Sequence, residues 1–305
     1  MIMKLINLII LLFVPFLMMG LIKKTKSFWG GRKGPSIMQP WFDFVRLMKK
    51  DFVISNTTSA VFKITPVITF ASVIFAGLFV PLASGSAIVN IPVGLIVFAY
   101  ILGLGKFFAL ISAMDTGSSF EGMGASREAC FTSIVEPAFF MVIGSIMALT
   151  GNYTFDALGK ILSSAGTYGI LIIVFTALVL FIMLLTEGSR VPVDDPATHL
   201  ELTMIHEVMI LDNSGSDLAL LTWANGIKML LISSLIAYMI IPSNVSDFVG
   251  VLLYLGVIAL LSMIIGTVES GMARIRMSHV FEFVFIMSSL ALVVLSLVMA
   301  RMFGG

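Results

Sequence analysis

The residues best placed to do chemistry are ionisable groups set in, or at the ends of, long apolar stretches: Lys106, Asp115, Glu136, Glu187, Glu269 and Glu282. A charged group at the centre of a membrane span costs roughly 2.5–3.5 kcal/mol on insertion scales, so such residues are rare and face a bundle interior or a polar path. A series of carboxylates is what proton transfer needs. Each acid can stay neutral while buried and release its proton when a neighbour or water re-solvates it. For Asp115, Glu187 and Glu269 a second reading stands beside this one, that of helix-end residues in contact with headgroups and water. Glu136, between Val135 and Pro137 in apolar surroundings, and Lys106 have no such explanation, and an ion path or a buried pair is expected there.

Arg127, Glu128 and Arg190 flank these stretches. Each arginine could pair with one of the acids and lower its pKa, or hold a loop to headgroups, which is the commoner use of a lone Arg. His206-Glu207 opens like a zinc-protease helix motif, but position 210 is Ile where the second His is required. His199 and His206 lack a third ligand nearby and read as satisfied loop histidines. The single cysteine, Cys130, excludes an intrachain disulfide and a cysteine-ligated cluster held by this chain alone. No metal ligands and no catalytic residues are assigned, and the 21 Met residues read as packing rather than as a cofactor box.

The elements that must position these groups follow from composition. Of 305 residues 59% are hydrophobic and 11% charged, where a soluble domain carries roughly 25% charged residues. The mean hydropathy is +1.09. A net charge of +1 gives no basic field for nucleic acid. A bilayer core takes about 20 helical residues to cross. Eight such stretches run near 4–22, 64–82, 91–113, 130–150, 168–187, 223–241, 248–268 and 281–301. The expected fold is an all-α integral membrane protein, one membrane domain over 1–305. The first stretch reads as a retained helix, since no small-x-small cleavage site follows it.

Lys23, Lys24, Lys26, Arg32, Lys33, Arg46, Lys49 and Lys50 follow the first span, and Arg127, Arg190, Arg274 and Arg276 fall in the other odd-numbered loops. The opposite side carries Lys4, Lys160 and Arg301. Cytoplasmic loops are rich in Lys and Arg, so both termini are expected outside a cell membrane. The inner loop 31–52 holds an amphipathic helix over 39–52, with Trp41, Val45, Met48 and Phe52 on one face and Asp43, Arg46, Lys49 and Lys50 on the other. The loop 187–222 is acidic and braced by Pro192 and Pro196. No internal repeat is visible, which weighs against a transporter built on inverted repeats.

Four segments carry a resemblance. Arg32-Lys33-Gly34-Pro35-Ser36-Ile37-Met38-Gln39 is followed by Asp43, Leu47 and Lys49. Residues 115–137 read DTGSSFEGMGASREACFTSIVEP, residues 187–202 read EGSRVPVDDPATHLEL, and Glu269-Ser270-Gly271-Met272-Ala273-Arg274 closes the set. Over nearly its whole length the chain resembles the NuoH-like membrane subunit shared by respiratory complex I and membrane-bound nickel–iron hydrogenases. It is most similar to the hydrogenase branch, that of formate hydrogenlyase and hydrogenase-4. Ala197 and His199 stand where the quinone-reducing relatives carry glutamates, which thins the carboxylates of a quinone cavity.

The resemblance implies a subunit that docks a hydrogenase large subunit and an iron–sulfur small subunit on the bilayer. It would couple their electron transfer to proton or sodium movement through antiporter-like membrane subunits. The nickel–iron centre and iron–sulfur clusters would lie in those partners, with no cofactor in this chain. Arg32, Asp43, Arg127, Glu128, Arg190, Asp194, Glu201 and Arg274 would be the loop charges and docking contacts. The alternatives are a quinone-site subunit of a complex I-type dehydrogenase and a stand-alone ion transporter.

Overall fold

The structure, a computed structural model, describes residues 2–303 except 56, 84–86, 196–203 and 242–245. Among the described residues there are helices and connections and no strand. The helices are α1 (Ile2–Trp29), α2 (Gln39–Met48), α3 (Ala60–Phe79), α4 (Gly94–Asp115), α5 (Ser119–Thr150), α6 (Asp156–Gly159), α7 (Ile161–Ala165), α8 (Gly169–Glu187), α9 (His206–Met209), α10 (Gly215–Ile240), α11 (Asp247–Gly271) and α12 (Met277–Phe303). Eight of them, α1, α3, α4, α5, α8, α10, α11 and α12, are long and apolar enough to cross a membrane.

α10 is the axis of the bundle. Every residue from Met229 to Ala237 is buried, so this helix has no outer face, as expected of one enclosed by other helices. α1, α3, α8 and α11 pack around it, α4 lies outside α3, and α12 closes α5 against α8. Two glycines permit close approach. A Cβ on Gly105 would fall 2.2 Å from Ser72 Oγ, and one on Gly266 would fall 2.9 Å from the Ile22 carbonyl oxygen. α3 thus seats on α4, and α11 on α1, at a distance that larger side chains would prevent.

The largest departures from the expected starts are in α5, which starts at Ser119, and α10, which starts at Gly215. The charged residues that lower hydropathy there are accommodated inside the helices. Glu121 is fully buried and accepts the Asp212 N–H at 2.8 Å. The amphipathic helix ends at Met48, four residues short of the expected end at Phe52. Its aromatic face packs against the bundle, with Trp41 edge-on to Phe16 at 5.2 Å and Phe44 edge-on to Trp223 at 4.8 Å. The loops after α1, α4, α8 and α11 gather at one end of the bundle, joined by bonds such as Trp29 Nε1 to Thr267 Oγ1 (3.1 Å) and the Ile275 N–H to the Pro192 carbonyl (3.1 Å).

Candidate functional site: a buried ion cluster and its loop

Lys106, on α4, is the centre of the first cluster. Its ammonium bonds Thr132 Oγ1 on α5 at 2.9 Å, pairs with Glu128 at 3.3 Å, and makes a close contact with Glu187 Oε1 at the end of α8. The second oxygen of Glu187 pairs with Lys228 of α10 at 3.3 Å. One carboxylate therefore joins three helices through two ammonium groups. Buried charges survive only when paired and hydrogen-bonded in this way.

The cluster lines a cavity of ≈ 160 Å³ between α3, α4, α5, α8 and α10. Glu136 lines the same cavity, and among the described residues its carboxyl has no hydrogen bond or ion pair. His206 closes it from the loop side. Burial, followed by the charges of Lys228 and Lys106, pushes the imidazole pKa down to about 3 against the pull of Glu187. His206 is therefore neutral near pH 7.

A second cluster sits at the loop end. Glu269 accepts Arg190 at 3.4 Å and Lys26 at 3.5 Å, and Lys26 also reaches Asp195 at 3.6 Å. Asp194 is 1% exposed and pairs with Arg274 at 3.2 Å. Its carboxylate also accepts the N–H groups of Asp195 (3.0 Å), Ile205 (3.1 Å) and His206 (3.1 Å). Burial pushes the Asp194 carboxyl above its ordinary value, and the His206 N–H and Arg274 act in the opposite sense. Arg190 Nη2 also meets Met229 Sδ at 3.7 Å, and Met229 is next in sequence to Lys228 on α10.

Of the six expected ion-path residues, Lys106, Glu136 and Glu187 come together at the cavity. Glu269 joins the loop cluster. Asp115 is held by the N–H groups of Ser59 (2.7 Å) and Phe62 (3.3 Å), which makes it a cap for the start of α3. Glu282 is on the surface with His279, 3.1 Å away, its side chain 73% exposed. Among the loop charges, Glu128 joins the cavity, while Arg190, Asp194 and Arg274 build the second cluster. Arg127 Nη1 donates to the Met204 carbonyl at 2.9 Å. Asp43 accepts from Gln39 Nε2 at 2.8 Å, and Arg32 is exposed. Glu201, with Ala197 and His199, lies outside the described residues.

Sequence reasoning missed Lys228, which lies as deep in an apolar stretch as Lys106 and carries the same signal. It also missed that half-buried His206 turns toward the cavity, for which periodicity gives no signal, because the loop that folds it inward has none.

The NADH dehydrogenase family model matches residues 2–300. Hydrogenase-4 component C of Escherichia coli (strain K12) is 27% identical over 234 residues, covering 77% of this chain and 73% of that protein. Formate hydrogenlyase subunit 4 of the same strain is 26% identical over 285 residues and 90% of each chain. An NADH-quinone oxidoreductase subunit of Rickettsia typhi is 25% identical over 211 residues, 67% of this chain and 61% of that one. In a solved structure of the membrane-bound sulfane sulfur reductase, an archaeal respiratory membrane complex, one chain has the same fold (TM-score 0.82). It is 18% identical and is matched over 97% of this chain and 98% of that one.

Proposed function

This chain belongs to the NADH dehydrogenase family, and on that premise we propose that it is the membrane anchor and coupling subunit of a hydrogenase complex of the formate hydrogenlyase kind. In this reading the loop end faces the cytoplasm. The segments 31–50 and 187–217 receive the soluble redox arm, and the cavity residues Lys106, Glu128, Glu136 and Glu187 carry ions onward to antiporter-like membrane subunits. The nickel–iron and iron–sulfur chemistry belongs to the partner subunits.

The observation that carries the coupling is the connection between the two clusters. Arg190 is bonded to Glu269 and touches Met229, and three residues before it Glu187 holds Lys106 and Lys228. Gly188 lets the chain pass over Met229, since a Cβ there would fall 2.8 Å from its Cγ. Displacing the loop at Arg190 therefore pulls on Glu187. A shift of Glu187 leaves the Lys228 ammonium without its ion pair, which changes the charge facing the other carboxylates of the cavity. Electron transfer in a docked arm would act on the membrane in this way. The hydrogenase branch is favoured by the 90% coverage of formate hydrogenlyase subunit 4.

The test is purification through a tag on this chain. Hydrogenase subunits should co-purify, and the complex should evolve hydrogen from an artificial electron donor. Reduction of a quinone analogue without hydrogen turnover would contradict it and support the quinone-site alternative, to which the likeness to the Rickettsia typhi protein points. Ion transport by the chain reconstituted alone would support the transporter.

A further inference from the structure

Lys4 and Lys24 stand 20 residues apart on α1, which is about 30 Å of helix, the thickness of a bilayer's apolar core. One lysine thus marks each edge of the core. Lys23 and Lys24 sit at headgroup level, together with Lys33, whose carbonyl accepts from the Lys24 ammonium at 2.9 Å. From there the chain turns back down α1. Ile37 lies so close to Gly20 that a Cβ there would collide with its carbonyl. Trp41 packs 5.5 Å from Phe13 and 5.2 Å from Phe16, about 12–16 Å below Lys24 along α1. α2 then climbs beside α10. Phe44 meets Trp223, which itself touches Phe16, and eight residues up α10 the Lys50 carbonyl reaches Gly215. That rise of about 12 Å returns Lys49 and Lys50 to the level of Lys24. α2 is dipped into the leaflet, its aromatic end down and its basic end up.

Arg46 stands one turn before Lys50, and with Lys23, Lys24, Lys33, Lys49 and Lys50 it makes six cations near one level, every one exposed. Among the described residues none of the six forms an ion pair, whereas Lys26 beside them pairs with Glu269 and Asp195. The one acid between Lys23 and Lys50, Asp43, is held by Gln39. Phe42 and Met48 face outward from α2, 53% and 46% exposed. An acidic protein face would answer the charges but not Phe42, which lies beside Trp41 at acyl-chain depth. Anionic lipid answers both. Basic groups just beyond a span attract its headgroups, and the apolar side chains of an embedded helix bury among its chains.

We propose that Lys23, Lys24, Lys33, Arg46, Lys49 and Lys50 form a binding surface for the headgroups of anionic phospholipids, with α2 seated among the acyl chains below them. The soluble arm's share of this segment is then its tip around Arg32, and the proposal does not depend on the coupling reading.

Bromine on an acyl chain quenches tryptophan at contact, and all three tryptophans, Trp29, Trp41 and Trp223, lie at this end of the bundle. The full-length chain is reconstituted in phosphatidylcholine bilayers with a small fraction of brominated phosphatidylglycerol or, in parallel, of brominated phosphatidylcholine. Half-maximal quenching of the wild type should need at least about fivefold less of the phosphatidylglycerol, and this preference should shrink in high salt. The triple variant Arg46→Gln, Lys49→Gln, Lys50→Gln should lose most of it, and Arg301→Gln, at the far end of α12, should keep it. Equal quenching of the wild type by the two lipids, which needs no variant, would overturn the proposal. A preference that the triple variant retains in full would do the same. So would release of the soluble subunits by the triple variant with its quenching unchanged, which would assign the charges to an acidic face of the arm.

Discussion

Glu187 holds two lysines at once, Lys106 through one carboxylate oxygen and Lys228, at 3.3 Å, through the other. The three residues come from α8, α4 and α10, and each side chain is less than a fifth exposed. Removing one partner of a buried pair costs about 3–5 kcal/mol, because the other charge is left without compensation. Glu187→Ala removes the ion pair of Lys228 and leaves Lys106 with Glu128, and it should lower the melting temperature in detergent more than Lys228→Met, which leaves the Lys106 contact intact. Equal melting of Glu187→Ala and wild type would show that the pair does not bind the helices together.

Asp194 organises the loop in the same manner. It gathers three backbone N–H groups and Arg274, and Asp194→Ala leaves buried donors unsatisfied at about 1–3 kcal/mol each. The variant should open the loop to protease and release the soluble arm from membranes. Arg32→Ala, an exposed change in the other docking segment, should weaken the arm without opening this loop. Retention of the arm and full activity in both variants would remove the docking surface.

His206 gives the loop a pH dependence whose sign can be worked out. With a folded pKa of about 3 and an ordinary value of about 6.5, the released imidazole binds a proton that the buried one does not. Anchoring is therefore unaffected above about pH 6.5 and weakens below it, by about 1.4 kcal/mol per pH unit. Hydrogen exchange of the Ile205 and His206 amides, compared between wild type and His206→Gln, isolates this contribution, because Asp194 titrates in both. Identical pH profiles would show that the imidazole is not buried.

How much of this could be read beforehand depends on the residue. The eight helices follow from hydropathy, since lipid forces each apolar stretch into a span. Lys106 and Glu136 stood out because a charge in such a stretch has few explanations. The partition into two clusters was not legible. Asp115 and Glu187 are both carboxylates at helix ends, yet one caps α3 and the other bridges two lysines. The difference lies in which helices sit beside them.

Orientation is open to chemical labelling. In a background with Cys130, itself exposed, replaced by serine, Ser36→Cys and Thr198→Cys should react only from the cytoplasmic side. Asn152→Cys should react only from outside. Labelling of Ser36→Cys from outside in intact cells would overturn the orientation drawn from the basic residues.

In this reading the cavity carries ions, and Glu136 lines it with, among the described residues, no hydrogen bond or ion pair to its carboxyl. Glutamine keeps the size and hydrogen-bonding capacity of the side chain and removes the exchangeable proton, so the Glu136→Gln complex should assemble at wild-type levels. Ion uptake driven by hydrogenase turnover, measured in sealed vesicles for wild type and Glu136→Gln, tests the claim directly. The variant should lose most of its uptake, and turnover should fall with it where coupling is tight. Full uptake by an assembled Glu136→Gln complex would contradict it.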